Sequence, residues 1–247
     1  EELVRGVVEL AAEKKLFIIA DEIYNRLIYN DKTPVLLSDV IGPDVPGISL
    51  KGISKEYPWP GSRCGWMEVY NEGVDPDFKR FVRFLFDAKM IEVCATTQPQ
   101  MTVPLVMEDA RYGPHLEARR AAYQERSAHF HETFEPIEGL HNPRPNGAFY
   151  ASVIFEPGVL NDHQSLPVEN SAAREILEQA LAEGNVTPDK RLVLYLLAST
   201  GICVVPMTGF TSELPGFRMT LLEQDAEKRE WILSTLREEI KKYLGSA

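Results

Sequence analysis

Residues Leu16 to Tyr24 read LFIIADEIY: five apolar residues that break off into two acids, an isoleucine and a tyrosine. An unbroken apolar run of this length predicts a short strand buried on both faces. Ahead of it, Leu3, Val7, Leu10, Ala11 and Lys14 recur at the helical period with charges between them. A helix followed by a buried strand is the pattern of a parallel α/β sheet. Asp21 then stands at the carboxyl end of that strand, where open α/β sheets collect their ligands. An acid in that place can equally cap a turn.

Working outward, a Pro/Gly/Asp-rich stretch from Ile41 to Gly47 leads to a second short strand, Ile48 to Ile53. A third is predicted over Cys64 to Tyr70, after the stiff loop YPWPG. Asp75 and Pro76 form a helix start, an N-cap acceptor followed by the one residue whose missing N–H costs nothing there. Phe78, Phe81, Val82, Leu85 and Phe86 make that helix's apolar stripe, read as core. Pro99 and Pro104 interrupt the next segment and suggest a domain boundary between residues 95 and 115.

Beyond it the chain reads as α+β. A helix from Pro114 to Phe134 carries Leu116, Tyr123, Ser127, Phe130 and Phe134 inward. GAFYASVIF, Gly147 to Phe155, is a strand. Helices over Ala172 to Glu183 and Lys190 to Thr200 each stop at a glycine, Gly184 and Gly201, suited to a left-handed cap. Ile202 to Val205 and Phe217 to Leu222 are short strands, and an amphipathic helix from Asp225 to Leu244 follows.

The whole sequence has 247 residues and a formal charge of −11. So acidic a surface repels a phosphate backbone, so nucleic acid is not expected as a partner. The longest apolar run, Leu192 to Ser199, is far short of the ~20 residues of a membrane-spanning helix. Cys64, Cys94 and Cys203 are far apart, which argues against a thiolate metal site or a disulfide framework and for buried free thiols in a reducing cytosol. His129 and His131, two apart on a helix, do not share a face, and no metal site is expected.

Chemistry concentrates at the strand ends. DEIY, Asp21 to Tyr24, ends the first strand, and GISK, Gly52 to Lys55, ends the second. Neighbouring strands bring Asp21 and Lys55 to one edge of the sheet. A lysine there is a nucleophile once its pKa is lowered, and otherwise a surface ammonium. Arg63 follows in GSRCG, between Gly61 and Gly65, which permit close backbone approach, and its guanidinium suits a phosphate. Singly each is most simply a solvated charge. Three at three successive strand–loop junctions indicate one shared ligand.

These segments resemble the class I/II aminotransferases, pyridoxal-phosphate enzymes of fold type I. The resemblance lies in Asp21-Glu22-Ile23-Tyr24, in Gly52-Ile53-Ser54-Lys55 followed by Gly61-Ser62-Arg63-Cys64-Gly65, in NGAFY (Asn146 to Tyr150), and in GICVVP (Gly201 to Pro206) paired with GFRMTLL (Gly216 to Leu222). The last pair looks most like the alanine aminotransferase branch. Gly52 stands where many members carry a phosphate-binding Ser or Thr, and Met207 where many carry glycine.

The resemblance implies the C-terminal part of a fold type I large domain, mostly a parallel sheet, over residues 1–95, then a small α+β domain over 96–247. It implies three neighbouring strands with the last antiparallel. Lys55 would be the catalytic residue, attached to the cofactor and moving a proton between substrate and cofactor. Asp21 would pair with the pyridine nitrogen, Tyr24 would donate to the ring oxygen, and Arg63 with Ser54 would hold the phosphate. Arg218 would grip the substrate carboxylate. Amino acid and 2-oxo acid substrates, a homodimer and a cytoplasmic location follow on the same ground. The chain starts at Glu1 inside a helical pattern and is expected to be a fragment, inactive alone. A lyase, decarboxylase or cyclopropane-forming synthase of the same fold, or a non-enzymatic effector module of a transcription regulator, are the alternatives.

Overall fold

A computed structural model describes residues 1–93, 95–184 and 186–246. Helix α1, Glu2–Lys14, ends where Lys15 turns left-handed (φ 54°), which aims the chain into β1, Ile18–Asp21. β1 runs parallel to β2, Gly47–Gly52, and β2 runs antiparallel to β3, Gly65–Tyr70, in the order β1-β2-β3. One face packs on α1 and the short helix α2, Leu37–Val40, through Val8, Ala11, Leu37, Val40 and Val45, with Ile18, Ala20 and Tyr70 against them. The other packs on α3, Pro76–Met90, where Phe78 and Val82 close over Ile48. α3 starts as its sequence dictates: the Asp75 carboxylate accepts the N–H groups of Asp77 and Phe78, both at 2.7 Å, with Pro76 in the first turn.

The α3 face is only partly covered, which corrects the reading of β1 as buried on both sides. Ile19 is 53% exposed, and Leu50 and Met67 on the same face are also exposed. β1 is an edge strand, and α3 spends its apolar side chains on Ile48 and Val69. Phe86 is likewise exposed rather than core. Eight residues beyond Phe78 on a 3.6-residue turn, it has rotated roughly 80° off the stripe.

The proline-containing segment is also corrected: it is helix α4, Thr97–Glu108. Pro99 lies in the first turn, where N–H groups have no intrahelical partner. Pro104 removes one interior bond, and side chains supplement the backbone: Thr102 Oγ1 donates to the Gln98 carbonyl at 2.8 Å and Gln100 Nε2 to that of Thr96 at 3.1 Å. Helix α5, Tyr112–Phe134, follows. Packing divides the chain into two units within α5, Glu1–Ala121 and Ala122–Ala247.

In the second unit, β4 (Leu140–His141), β5 (Tyr150–Phe155), β6 (Val205–Pro206) and β7 (Gly216–Thr220) form an antiparallel sheet in the order β4-β5-β7-β6. Helices α6 (Ser171–Ala182), α7 (Pro188–Thr200) and α8 (Ala226–Leu244) complete it. Phe130, Phe134, Phe155, Phe217, Leu192, Leu196, Leu236 and Ile240 are all fully buried, and the Phe217 ring meets those of Phe134 and Phe155. β7 passes so close to β5 that a Cβ on Gly216 would lie 2.2 Å from the Val153 carbonyl oxygen. The α6 and α7 stops are left-handed glycines, Gly184 (φ 78°) and Gly201 (φ 75°).

Of the strand predicted over Ile202 to Val205, only Val205 pairs; Ile202 and Val204 are buried in the connection that leads to it. The free thiols are not buried: Cys64 is half-buried and Cys203 exposed. Cys94 and Asn185, the latter part of a glycosylation-like triplet, lie outside the described residues. Among the described residues no helix is long and apolar enough to cross a membrane.

Candidate active site

The parallel pair β1 and β2 ends at Asp21 and Gly52, and the chain leaves both ends on the same side of the first unit. Asp21 is exposed, and its carboxylate accepts the Ile23 N–H at 3.2 Å in a tight turn that brings Tyr24 round to the strand end. The β2–β3 connection starts with Ile53, Ser54 and Lys55 and returns through the single turn Pro60–Ser62 to Arg63, whose backbone is left-handed at φ 53°. Arg63 Nη1 donates to the Pro60 carbonyl at 3.0 Å. Gly52 and Gly65 oppose each other across the β2–β3 ladder, and Ile53 N–H bonds to the Cys64 carbonyl at 3.3 Å.

Asp21, Tyr24, Ser54, Lys55 and Arg63 line one open hollow of about 390 Å³, with Ile23, Leu50, Lys51 and Pro60. The Lys55 ammonium stands 5.7 Å from the centre of the Tyr24 ring, within the range of a cation–π contact. Gly65 earns its place, since a Cβ there would sit 2.8 Å from the Lys51 carbonyl oxygen; a Cβ on Gly61 would meet nothing, so the close approach expected at Gly61 is absent. Arg218, the sixth candidate, is in β7 of the second unit. Its guanidinium carbon lies 3.7 Å from the centre of the Phe210 ring and 4.6 Å from that of Tyr150.

Several supporting residues carried no signal in the sequence. Arg119 of α5 donates to the Lys55 carbonyl at 3.2 Å. Glu56, beside Lys55, is buried and accepts from the Tyr112 hydroxyl at 2.9 Å, while the Tyr57 and Tyr112 rings stack at 5.2 Å. Burial pushes the Glu56 carboxyl above its ordinary range despite that bond and the nearby Arg26. Glu22, the second acid of DEIY, turns away from the hollow: it accepts the Leu37 N–H at 2.6 Å and faces Lys51 at 3.5 Å. Lys51 also pairs with Glu68 at 2.7 Å. Burial alone would lower its pKa, but these two carboxylates hold it above the usual lysine value. The alternation of β2 and β3 is the only pattern that could have placed Lys51 and Glu68 on one face.

The family model for aminotransferase class I and II matches residues 1–234. An uncharacterized aminotransferase of Methanocaldococcus jannaschii is 49% identical over 244 residues, covering 99% of this chain and 56% of its own length. The alanine aminotransferase of Mycobacterium tuberculosis is 26% identical over 222 residues, 87% of this chain and 44% of its own. An alanine aminotransferase structure from Pyrococcus furiosus shares the fold at a TM-score of 0.75 and 24% identity, over 98% of this chain and 53% of that one. The chain thus spans about half the length of the relatives it matches. With the family model extending from the first strand's helix through β7 and into α8, the chain belongs to the class I and II aminotransferases.

Proposed function

We propose that this chain forms part of a pyridoxal-phosphate-dependent transaminase that moves an amino group between an L-amino acid and a 2-oxo acid. The observation that carries the reading is the convergence of Asp21, Tyr24, Ser54, Lys55 and Arg63 on one hollow. The donor set suits a flat, phosphorylated, protonated heterocycle: a carboxylate for a ring nitrogen, a phenol for a ring oxygen, a hydroxyl and a guanidinium for a phosphate, and an amine for a carbonyl carbon. Bound pyridoxal phosphate supplies an electron-withdrawing ring that stabilises the electron pair left behind when a proton leaves the substrate Cα.

The remaining work belongs to the chain's own residues. Lys55 would take the proton from the substrate Cα and hold it for return, general acid–base work for an amine at the strand end. Asp21 would pair with the ring nitrogen and favour its protonated form, the form in which the ring withdraws charge. Tyr24 donates to the ring oxygen from beside the lysine. Arg63, with Ser54, holds the phosphate, and Arg218 takes the substrate α-carboxylate as a bidentate fork that a lysine could not reproduce. A homodimer and a cytoplasmic location accompany this reading, and the alanine branch is its first substrate candidate.

Adding pyridoxal phosphate to the full-length protein, reducing with borohydride and mapping the labelled peptide tests the assignment. Label confined to Lys55, and loss of glutamate formation from alanine and 2-oxoglutarate in Lys55→Ala, is the expected result. Label scattered over surface lysines would overturn it, and pyruvate release without an amino acceptor would move the protein to the lyases.

A further inference from the structure

Arg218 lies at the centre of the second sheet, paired with Ser152 on one side and Val205 on the other. Its neighbour Phe217 points into the core, so Arg218 points to the opposite face, the face shared by Tyr150 and Ser152 in alternation along β5. There the guanidinium carbon stands over two rings, 3.7 Å from the centre of Phe210 and 4.6 Å from that of Tyr150. Arg218 is half-buried, yet among the described residues no carboxylate pairs with it. Ring contacts of this kind engage the flat face of a guanidinium and leave the N–H donors on its rim for a ligand.

Phe210 stands where it does because of a buried carboxylate on another element. Met207–Phe210 is a single turn after β6. Asp189, fully buried at the start of α7, accepts the Thr208 N–H at 2.9 Å and the Thr208 hydroxyl at 2.7 Å. It also accepts the Thr187 hydroxyl at 2.6 Å and the Gly216 N–H at 3.4 Å. Thr208 is two residues from Phe210, and Gly216 two from Arg218. One anion therefore fixes the segment carrying the outer ring and the strand carrying the arginine. Phe210 itself is 41% exposed, a poor position for a ring whose only task is to fill the core.

We infer that Phe210 and Tyr150 are positioning residues for the substrate carboxylate, with Asp189 anchoring the pair. The inference rests on the reading of Arg218 as the group that binds the α-carboxylate, and it adds how that group is held: the two rings restrict the rotation of the guanidinium and so the direction of its fork. Losing a ring frees the guanidinium to rotate and hydrate, which weakens ground-state and transition-state binding alike, so KM rises while kcat holds.

The test uses the full-length holoenzyme, with steady-state kinetics and calorimetric titration of pyruvate as the probe. Phe210→Leu and Tyr150→Leu should each raise the pyruvate Kd and KM by about threefold to tenfold, with kcat changed less than twofold; Phe210→Tyr should restore wild-type values. Arg218→Ala is the control. If it loses pyruvate binding while both leucine variants bind as wild type does, the ring stack has no positioning role and the inference falls alone. If Arg218→Ala binds pyruvate unchanged, the assignment of Arg218 falls and the inference with it. A drop in melting temperature for Phe210→Leu without a change in Kd would make the ring structural and also overturns the inference.

Discussion

The two sheets of this chain are finished differently. In the second unit, β5 and β7 bury Val153, Phe155 and Phe217 almost completely, and the adjoining helices add buried Phe130, Phe134, Leu192, Leu196 and Leu236. In the first, α1 and α2 cover one face, while Ile19, Leu50 and Met67 on the other face remain exposed. The candidate residues follow the same division. Lys55, half-buried, and Arg63, exposed, sit on a loop steadied by a few hydrogen bonds, whereas Arg218 sits on a strand braced by a buried anion. The difference teaches that burial within this chain tracks how many of its own elements reach a face, not how apolar the strand is.

The sharpest way to break that comparison is Phe217→Ala. Removing a ring that touches two others should cost about 4 kcal/mol and melt the second unit first, read by thermal unfolding; a loss below about 1 kcal/mol would mean its core is loose after all. Next comes Asp189→Asn, expected to cost about 3 kcal/mol near neutrality by weakening an anion that several donors share. Burial raises the Asp189 pKa, but the Thr187, Thr208 and Gly216 bonds outweigh it and hold it below the ordinary value. Its contribution is therefore present above the unfolded-state pKa and lost as pH falls through the lower folded-state value, so variant and wild type should converge in acid. Denaturant titrations over a pH series would show it, and a gap independent of pH would contradict the sign.

Gly65→Ala probes the other unit. A methyl group 2.8 Å from the Lys51 carbonyl must push β2 from β3, at a cost of about 2 kcal/mol, and should weaken pyridoxal phosphate binding because Arg63 moves with the strand. Unchanged binding measured by absorbance would separate the hairpin from the site. Smallest is Ile19→Thr, which should shift the stability of the 247-residue chain by no more than about 0.5 kcal/mol. A larger loss would show that face to be covered in solution.

Local chemistry made much of this readable. Asp75 with Pro76, Asp225 before α8, and the glycines at 184 and 201 announce helix ends by rules that need only a few neighbours. The strand-end motifs were readable for the same reason: Asp21, Lys55 and Arg63 each sit beside a strand whose pattern is short and plain. What escaped depends on distance along the chain. A run such as LFIIA reports its apolarity but not whether a second layer covers it. Pro99 and Pro104 look like breakers until one of them falls in a first turn. The Arg119 bond to Lys55 and the Asp189 bond to Gly216 join residues 64 and 27 apart, which no periodicity reveals.

The antiparallel return of β3 also has a consequence for how this region can vary. Lys55 and Arg63 belong to one excursion whose two feet, Gly52 and Gly65, stand on the same rung of the ladder. Lengthening either limb would slide an amine past a guanidinium and spoil their spacing, whereas extra residues at the crown, around Pro58 to Gly61, would leave both feet planted. Changes in length among related chains should therefore gather at that crown, and the two limbs should keep their count.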